Sequence, residues 1–267
     1  MDLGLKNKIA LVTGASKGLG YAAALGLAKE GCKVAINGRD ENRIKEAAEK
    51  IQKETGTQVI GLVGDVSLPD VPEKLIEQTV KAFGGLDILI TNTGGSAHGS
   101  IDVLNEEQWQ AGIDLYFMSH VRLIKSALPY LKKSDSASVL TITSLAAKQP
   151  IPSLLLSNSV RAGTLGLTKS LALDHGKDGI RFNSILPGWT ETERVEELLS
   201  ARAKANNSTL EEEAKKQANE SSFGRLASTK EFANVAVFFV SPAASYVTGV
   251  MLTVDGGSYK ADRKSVV

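Results

Sequence analysis

The sequence has little of several features that define broad classes of protein. Cys32 is its only cysteine, so an internal disulfide is impossible. Lysine and arginine (31) nearly balance aspartate and glutamate (30), which gives no reason to expect a nucleic-acid or anionic-membrane partner. No apolar run approaches the ~18 residues that span a bilayer, and the first residues lack a signal-peptide core. We therefore expect a cytoplasmic protein with no membrane span.

Strand-like and helix-like segments alternate along the chain, which is typical of a parallel sheet with crossover helices. The predicted strands cover residues 9–12, 33–37, 58–63, 86–91, 136–143, 180–186 and 250–254. The predicted helices cover residues 21–28, 41–54, 71–83, 106–132, 152–173 and 230–240, and the fourth is a long or broken helix. We predict one α/β domain over residues 1–267, built on a doubly wound parallel sheet.

Residues 190–223 interrupt this alternation. The segment is polar, charged and rich in alanine, and Ser208 with Glu211 has the spacing of a capping box at a helix start. An insertion at this point lies at the carboxyl edge of the sheet, where ligands bind in open α/β folds. We interpret it as a helical substrate lid, and the alternative is a solvated helical excursion.

A glycine-rich turn, residues 13–20, joins the first predicted strand to the first predicted helix. Gly14, Gly18 and Gly20 let the backbone approach a phosphate closely and direct the helix N-terminus at its negative charge. The strand before the turn and the helix after it favour dinucleotide binding over an ordinary tight turn.

From about residue 6 to residue 257 the chain resembles the short-chain dehydrogenase/reductase family. The glycine turn matches that family's Thr-Gly-x-x-x-Gly-x-Gly motif, and Asp65-Val66 matches its adenine-contacting pair. Residues 91–94 stand where the family has Asn-Asn-Ala-Gly, and Asp255 begins the Asp-Gly-Gly that ends the last strand. Together with Pro187-Gly188, this ending is most like the 3-oxoacyl-carrier-protein reductase group.

The resemblance implies a Rossmann-like fold, a dinucleotide cofactor, and an assembly of two or four identical subunits, with the tetramer favoured. It implies no metal site. The implied cofactor-binding residues are Gly14, Ser16, Lys17, Gly18, Leu19, Gly20, Arg39, Asp65, Val66, Asn92, Gly94, Arg161, Pro187, Gly188, Thr190 and Thr192. The tail, residues 260–267, is expected to be either disordered or bound at a subunit interface.

The end of the second strand predicts NADP(H) rather than NAD(H). An NAD site has a carboxylate there for the ribose 2′-hydroxyl, whereas this chain has Gly38 followed by Arg39. Arginine binds phosphate oxygens in a bidentate manner, and Lys17 in the glycine turn adds a second cation nearby. The alternative is that both are ordinary surface charges, since Asp40 and Glu41 follow Arg39.

The family's catalytic Ser, Tyr and Lys are only partly matched. Ser144 stands in the serine position, but Ser157 replaces the tyrosine and Arg161 replaces the lysine. The chain has no tyrosine between Tyr130 and Tyr246, so a shift of register cannot restore the motif. Because arginine stays protonated, it cannot relay a proton as lysine does.

Two other side chains are candidates for the proton donor. Tyr116 stands where the family has an asparagine, and His98 lies in the loop after the fourth strand, where an imidazole would titrate near neutral pH. The alternatives are a half-buried, hydrogen-bonded tyrosine and a solvated loop histidine.

Two functions are compatible with these residues. The leading hypothesis is an NADP(H)-dependent oxidoreductase for a small carbonyl or alcohol substrate. The other hypothesis is a dinucleotide-binding sensor or assembly subunit without catalysis.

Overall fold

Seven parallel strands form one sheet in the order β3-β2-β1-β4-β5-β6-β7, in a computed structural model that describes residues 1–260. The strands are β1 (Ile9–Val12), β2 (Lys33–Gly38), β3 (Val59–Val63), β4 (Ile88–Thr91), β5 (Ser138–Ile142), β6 (Arg181–Pro187) and β7 (Met251–Val254). The strand order changes direction between β1 and β4, so a crevice opens there at the carboxyl edge of the sheet. The predicted doubly wound α/β fold is confirmed.

Helices cover both faces of the sheet. They are α1 (Gly18–Lys29), α2 (Glu41–Thr55), α3 (Val71–Phe83), α4 (Glu106–Ile113), α5 (Ser119–Leu131), α6 (Leu155–His175), α7 (Glu193–Ala205), α8 (Leu210–Ala218) and α9 (Thr229–Val240). The central strands are short apolar runs buried on both faces, as parallel strands require. In α1, a Cβ on Gly26 would lie 2.8 Å from Val237 of α9, so glycine allows these two helices to pack closely.

The segment predicted as a long or broken helix is broken. Between α4 and α5 the chain forms a π-helical turn, Asp114–Met118. A π turn widens the helix and frees backbone carbonyls from the regular ladder. The carbonyl of Tyr116 accepts a hydrogen bond from Thr164 Oγ1 of α6 at 3.1 Å, which ties this turn to α6.

The region between β6 and α9 contains α7 and α8, and the predicted capping box is displaced by one residue. Thr209, not Ser208, caps α8, and Glu212, not Glu211, completes the box. The reason is that the Ser208 hydroxyl donates instead to Glu213 at 2.7 Å. Hydrogen bonds, the strongest from Lys216, lower the pKa of Glu213 to about 2.

None of the helices in residues 1–260 is long and apolar enough to cross a membrane. The prediction for the tail concerns residues that, apart from residue 260, lie outside the described part of the chain.

Candidate active site

The glycine turn lies at the end of β1, and its glycines are required by close contacts. Gly14 and Gly18 have φ values of 56° and 62°, in the left-handed region. A Cβ on Gly20 would lie 2.4 Å from the Gly14 carbonyl oxygen, so no side chain fits there. The side-chain amide of Asn92 donates to that same carbonyl at 2.9 Å, which anchors the turn to the end of β4.

The N-terminus of α1 meets the requirements of an anion site. In the described chain, the N-cap residue Lys17 makes no capping hydrogen bond with its side chain, and the first turn carries no acidic residue. The first N–H groups of the helix are thus left for a ligand, and the helix dipole favours negative charge there. Ser16 and Leu19, on either side of this start, are half-buried. The cradle fits the pyrophosphate of a dinucleotide.

The end of β2 has no carboxylate and presents a cation. A Cβ on Gly38 would lie 3.2 Å from the Cβ of Ser16, so a longer side chain there would crowd the glycine turn. Arg39 is largely exposed, and its Nη1 lies 3.8 Å from Asp65 Oδ2. Its Nη2 lies 4.0 Å from where a Cβ on Gly94 would be. The guanidinium therefore reaches across the crevice between the ends of β2, β3 and β4, while Val66 is buried in the core beneath.

The end of β6 leads into α7, the first helix of the inserted segment. Gly188 follows Pro187, and a Cβ on Gly188 would lie 2.7 Å from the Cβ of Asp255. Thr190 is buried, with its hydroxyl 3.4 Å from the Gly188 carbonyl oxygen that accepts from it. Thr192 caps α7, and its methyl group lies 3.7 Å from where a Cβ on Gly18 would be. The start of α7 thus lies over the glycine turn.

The first turns of α7 contact both walls of the crevice. On one wall, Lys17 forms an ion pair with Glu193, and a second carboxylate, Glu197, lies 3.9 Å away. On the other wall, Arg194 Nη2 lies 2.6 Å from His98 Nε2, in the loop after β4. Helix α7 therefore bridges the crevice in this structure.

Tyr116 and Arg161, two of the predicted catalytic residues, are in direct contact. Both are buried, and the guanidinium carbon of Arg161 lies 3.9 Å from the centroid of the Tyr116 ring. The phenol oxygen of Tyr116 accepts a hydrogen bond from the Ser96 N–H at 2.6 Å. Burial lowers the pKa of Arg161, and the adjacent Tyr116 opposes this shift. Arg161 Nε has no hydrogen-bond partner among the described residues.

The two serines of the predicted site begin neighbouring segments. Ser144 follows β5, and its hydroxyl oxygen accepts from the Ala146 N–H at 3.1 Å. Ser157 is half-buried in the first turn of α6. An isolated bridge between Gly99 and Leu154 brings the loop after β4 to the start of α6. The elements that carry Ser144, Ser157, Tyr116 and His98 therefore meet at one edge of the sheet.

Comparison with known proteins identifies the family. The family model described as Enoyl-(Acyl carrier protein) reductase matches residues 14–259. The chain belongs to the short-chain dehydrogenase/reductase family. Dehydrogenase/reductase SDR family member 4 of Bos taurus is 33% identical over 257 residues, covering 95% of this chain and 88% of the relative. The 3-oxoacyl-[acyl-carrier-protein] reductase of Chlamydia muridarum is 30% identical, covering 95% of this chain and 98% of the relative.

A solved structure of this family is similar over nearly the whole chain. L-Sorbose reductase from Gluconobacter frateurii, complexed with NADPH and L-sorbose, superposes with a TM-score of 0.94 and 32% identity. The match covers 98% of this chain and 100% of the reductase. The resemblance inferred from the motifs is therefore confirmed.

Two residues of this short-chain dehydrogenase/reductase site were not predicted from the sequence. His120 is fully buried, and neither of its ring nitrogens has a hydrogen-bond partner within residues 1–260. Burial, and then the charge of Arg161, lowers the pKa of His120 to about 3. Its spacing of four from Tyr116 was an available signal, because residues i and i+4 share a helix face. Arg194 gave only a weak signal, as one of several charges at the start of the lid.

Proposed function

We propose that this chain is an NADP(H)-dependent oxidoreductase that interconverts a carbonyl and an alcohol, with Tyr116 as its proton donor. One observation carries the proposal: the ring of Tyr116 lies against the Arg161 guanidinium, and its phenol oxygen accepts the N–H of Ser96 in the loop after β4. Tyr116 thus takes the place of the tyrosine that is missing at Ser157.

The preference for NADP(H) is supported by Gly38 and Arg39 at the end of β2. Gly38 supplies no carboxylate for the ribose 2′-hydroxyl of NAD, and the exposed Arg39 guanidinium, whose ion-pair distance to Asp65 is 3.8 Å, supplies a cation for a 2′-phosphate. The similar L-sorbose reductase is complexed with NADPH, which supports the same choice. Lys17 contributes a second cation when it is released from Glu193.

The chemistry divides between the cofactor and the chain. NADP(H), when bound, supplies or accepts the hydride. The phenol oxygen of Tyr116 already accepts the Ser96 N–H, so its own hydrogen remains for the substrate oxygen. Arg161 places its positive charge over the Tyr116 ring, where it favours the phenolate that forms after proton transfer. Ser144 orients the substrate oxygen, and Ser157, being small, leaves room for the substrate beside Tyr116. His98 is the second candidate for the donor.

Residues 190–223 act in this proposal as the substrate lid of a single domain, because α7 lies over the glycine turn and contacts the loop after β4. The substrate class is a small carbonyl compound or alcohol. We expect a homo-tetramer, with a dimer as the alternative, in the cytoplasm.

The test measures binding and turnover separately. NADPH fluorescence gives the Kd, and oxidation of NADPH is followed with a panel of ketones, aldehydes, a ketose such as L-sorbose and a 3-oxoacyl thioester. General acid catalysis is typically worth ~10²–10⁴-fold, so Tyr116→Phe should lower kcat by about 10²-fold or more and leave the NADPH Kd within about twofold. Tyr130→Phe, outside the site, is the matched control and should retain turnover. Full turnover in Tyr116→Phe would refute the assignment of the donor.

A protein that binds the dinucleotide without catalysis is the other candidate, and the absence of the usual tyrosine and lysine favours it. NADPH binding by the wild type without oxidation on any substrate would support this second function. In that case, the double change Ser157→Tyr with Arg161→Lys should create turnover if only the donor is missing.

A further inference from the structure

The contact between Arg194 and His98 fixes the chemical state of the imidazole. Arg194 Nη2 lies 2.6 Å from His98 Nε2, which is hydrogen-bond distance. A guanidinium carries only donors, so the imidazole nitrogen in this contact has to be the acceptor. His98 is therefore neutral, with its proton on Nδ1.

The position of His98 places that Nδ1–H group near the proposed proton donor. Two residues earlier in the same loop, Ser96 donates its N–H to the phenol of Tyr116. One residue later, Gly99 pairs with Leu154 at the start of α6. His98 thus lies between the proposed proton donor and the lid, and within residues 1–260 its Nδ1 has no hydrogen-bond partner.

We propose that Arg194 is a positioning residue that acts through His98: with the lid in place, it holds the imidazole as the neutral Nδ1–H tautomer, which donates a hydrogen bond to a substrate oxygen. This inference rests on the proposed oxidoreductase function and adds a specificity-determining contact to it. Arg194 belongs to the first turn of α7, so the donor is set only when the lid bridges the crevice. Substrate recognition is thereby coupled to lid closure.

The charges around His98 support the neutral form. Partial burial is the largest cause that lowers its pKa, followed by the positive charges of Arg194 and Arg202 on α7. Glu197 lies 3.5 Å from Arg194 and only partly offsets its charge. On the remaining sides, Arg161 lies behind Tyr116, and Lys17 is paired with Glu193 across the crevice.

Protonation of His98 would place an Nε2–H against the Nη2–H of Arg194, and two donors repel each other. The contact is therefore present above the pKa of His98 and lost below it. Because that pKa is lowered from its usual value, the contact persists at neutral pH and fails only in acid.

The direct test determines the tautomer of His98 from the ¹⁵N and ¹³C chemical shifts of its imidazole ring. The chain has three histidines, and the signal that disappears in His98→Gln assigns His98. The wild type should show the Nδ1–H tautomer at pH 8. Arg194→Met, which removes the donor, should shift the population to the Nε2–H form, and Arg194→Lys should restore part of the wild-type population. Glu193→Gln, which breaks the other lid contact, is the matched control and should keep the wild-type tautomer.

A second readout is the pH profile of kcat/KM. Without the Arg194 charge, the pKa of His98 rises toward its usual value, so the acid limb of Arg194→Met should move to higher pH. The acid limb of Glu193→Gln should stay in place. A wild-type His98 protonated on Nε2, or the same tautomer in the wild type and Arg194→Met, would overturn the proposal. Failure to bind NADPH or to turn over would contradict the proposed function and the hydrogen bond to substrate, whereas the tautomer measurement, which requires neither, separately tests the control of His98 by Arg194.

Discussion

At the end of β2, Gly38 stands where an NAD site has a carboxylate, and the next residue, Arg39, supplies a positive charge. Gly38 has no carboxylate, and a Cβ there would make tight contacts, at 3.2 Å, with Ser16 and the end of the Ile44 side chain. Arg39 points across the crevice with little to hold it, since its nearest acidic oxygen, on Asp65, is 3.8 Å away. An ion pair at that distance between partly exposed groups is weak, so a phosphate would displace it readily.

We therefore expect Arg39→Ala to weaken NADPH binding and to leave NADH binding nearly unchanged. A charge-assisted hydrogen bond is worth ~1.5–3 kcal/mol, and the exposure of Arg39 favours the lower end, so the NADPH Kd should rise about tenfold. Titration of both cofactors by fluorescence gives the two constants. Arg43→Ala, an exposed arginine in the first turn of α2, should leave both Kd values unchanged. A wild-type preference for NADH, or an NADPH Kd unaffected by Arg39→Ala, would contradict the cofactor assignment.

Among the elements, the break between α4 and α5 shows where sequence patterns lose precision. The helical pattern over residues 106–132 correctly predicts a long or broken helix, because the apolar positions repeat at helical spacing. It does not locate the π turn Asp114–Met118, since the widened turn is stabilised by a distant partner, Thr164 on α6. The capping box of α8 was misplaced for a similar reason: the Ser208 hydroxyl is drawn to Glu213. Local propensity predicts such elements, and side-chain contacts decide their ends.

The buried His120 of α5 should make the stability of the protein depend on pH. The pKa of His120 is lowered to about 3, whereas an unfolded imidazole titrates near 6.5. Between these two pH values the unfolded chain binds one more proton, so stability falls as pH falls. At ~1.4 kcal/mol per pH unit, this group should cost the wild type roughly 2 kcal/mol between pH 7 and pH 5.

His120→Leu should remove that loss, because leucine fills the space without a titrating group. It should also stabilise the fold by ~1 kcal/mol at pH 7, since the two ring nitrogens of His120 lack partners among the described residues. Urea unfolding at pH 5, 7 and 8 measures both effects, and the difference between the variant and the wild type should stay constant from pH 7 to pH 8. An equal decline of both proteins from pH 7 to pH 5 would show that His120 is not the group responsible.

For the whole molecule, the sheet topology explains how the sequence predicts the location of the candidate site. Each of these motifs directly follows a strand, and the carboxyl ends of parallel strands lie at the same edge of a sheet. The order of elements alone therefore places the glycine turn, Arg39, Ser144 and Gly188 at one edge. The contact between His98, in the loop after β4, and Arg194, in the first turn of α7, joins residues 96 positions apart, and no periodicity or spacing encodes such a pair. It depends on how α7 crosses the crevice.

The two edges of the sheet differ in a way that bears on assembly. Leu173, near the end of α6, and Tyr246, in the segment before β7, are both exposed apolar side chains. β7 itself is partly exposed along its length. Exposed apolar side chains beside an edge strand favour burial against another chain, and a second copy is the partner that the family resemblance implies.

We expect the purified protein to sediment as a tetramer or dimer, and the double change Leu173→Glu with Tyr246→Glu to shift it toward smaller species. Two carboxylates buried in an interface would each have to be desolvated, which costs more than the contacts return. Val63→Glu, an exposed residue at the opposite edge of the sheet, is the control for added charge and should leave the sedimentation coefficient unchanged. A monomeric wild type would contradict the predicted assembly, and an equal effect of Val63→Glu would show that the dissociation is not specific to the β7 edge. NADPH binding by the dissociated subunits should persist, because the crevice between β1 and β4 is built from one chain.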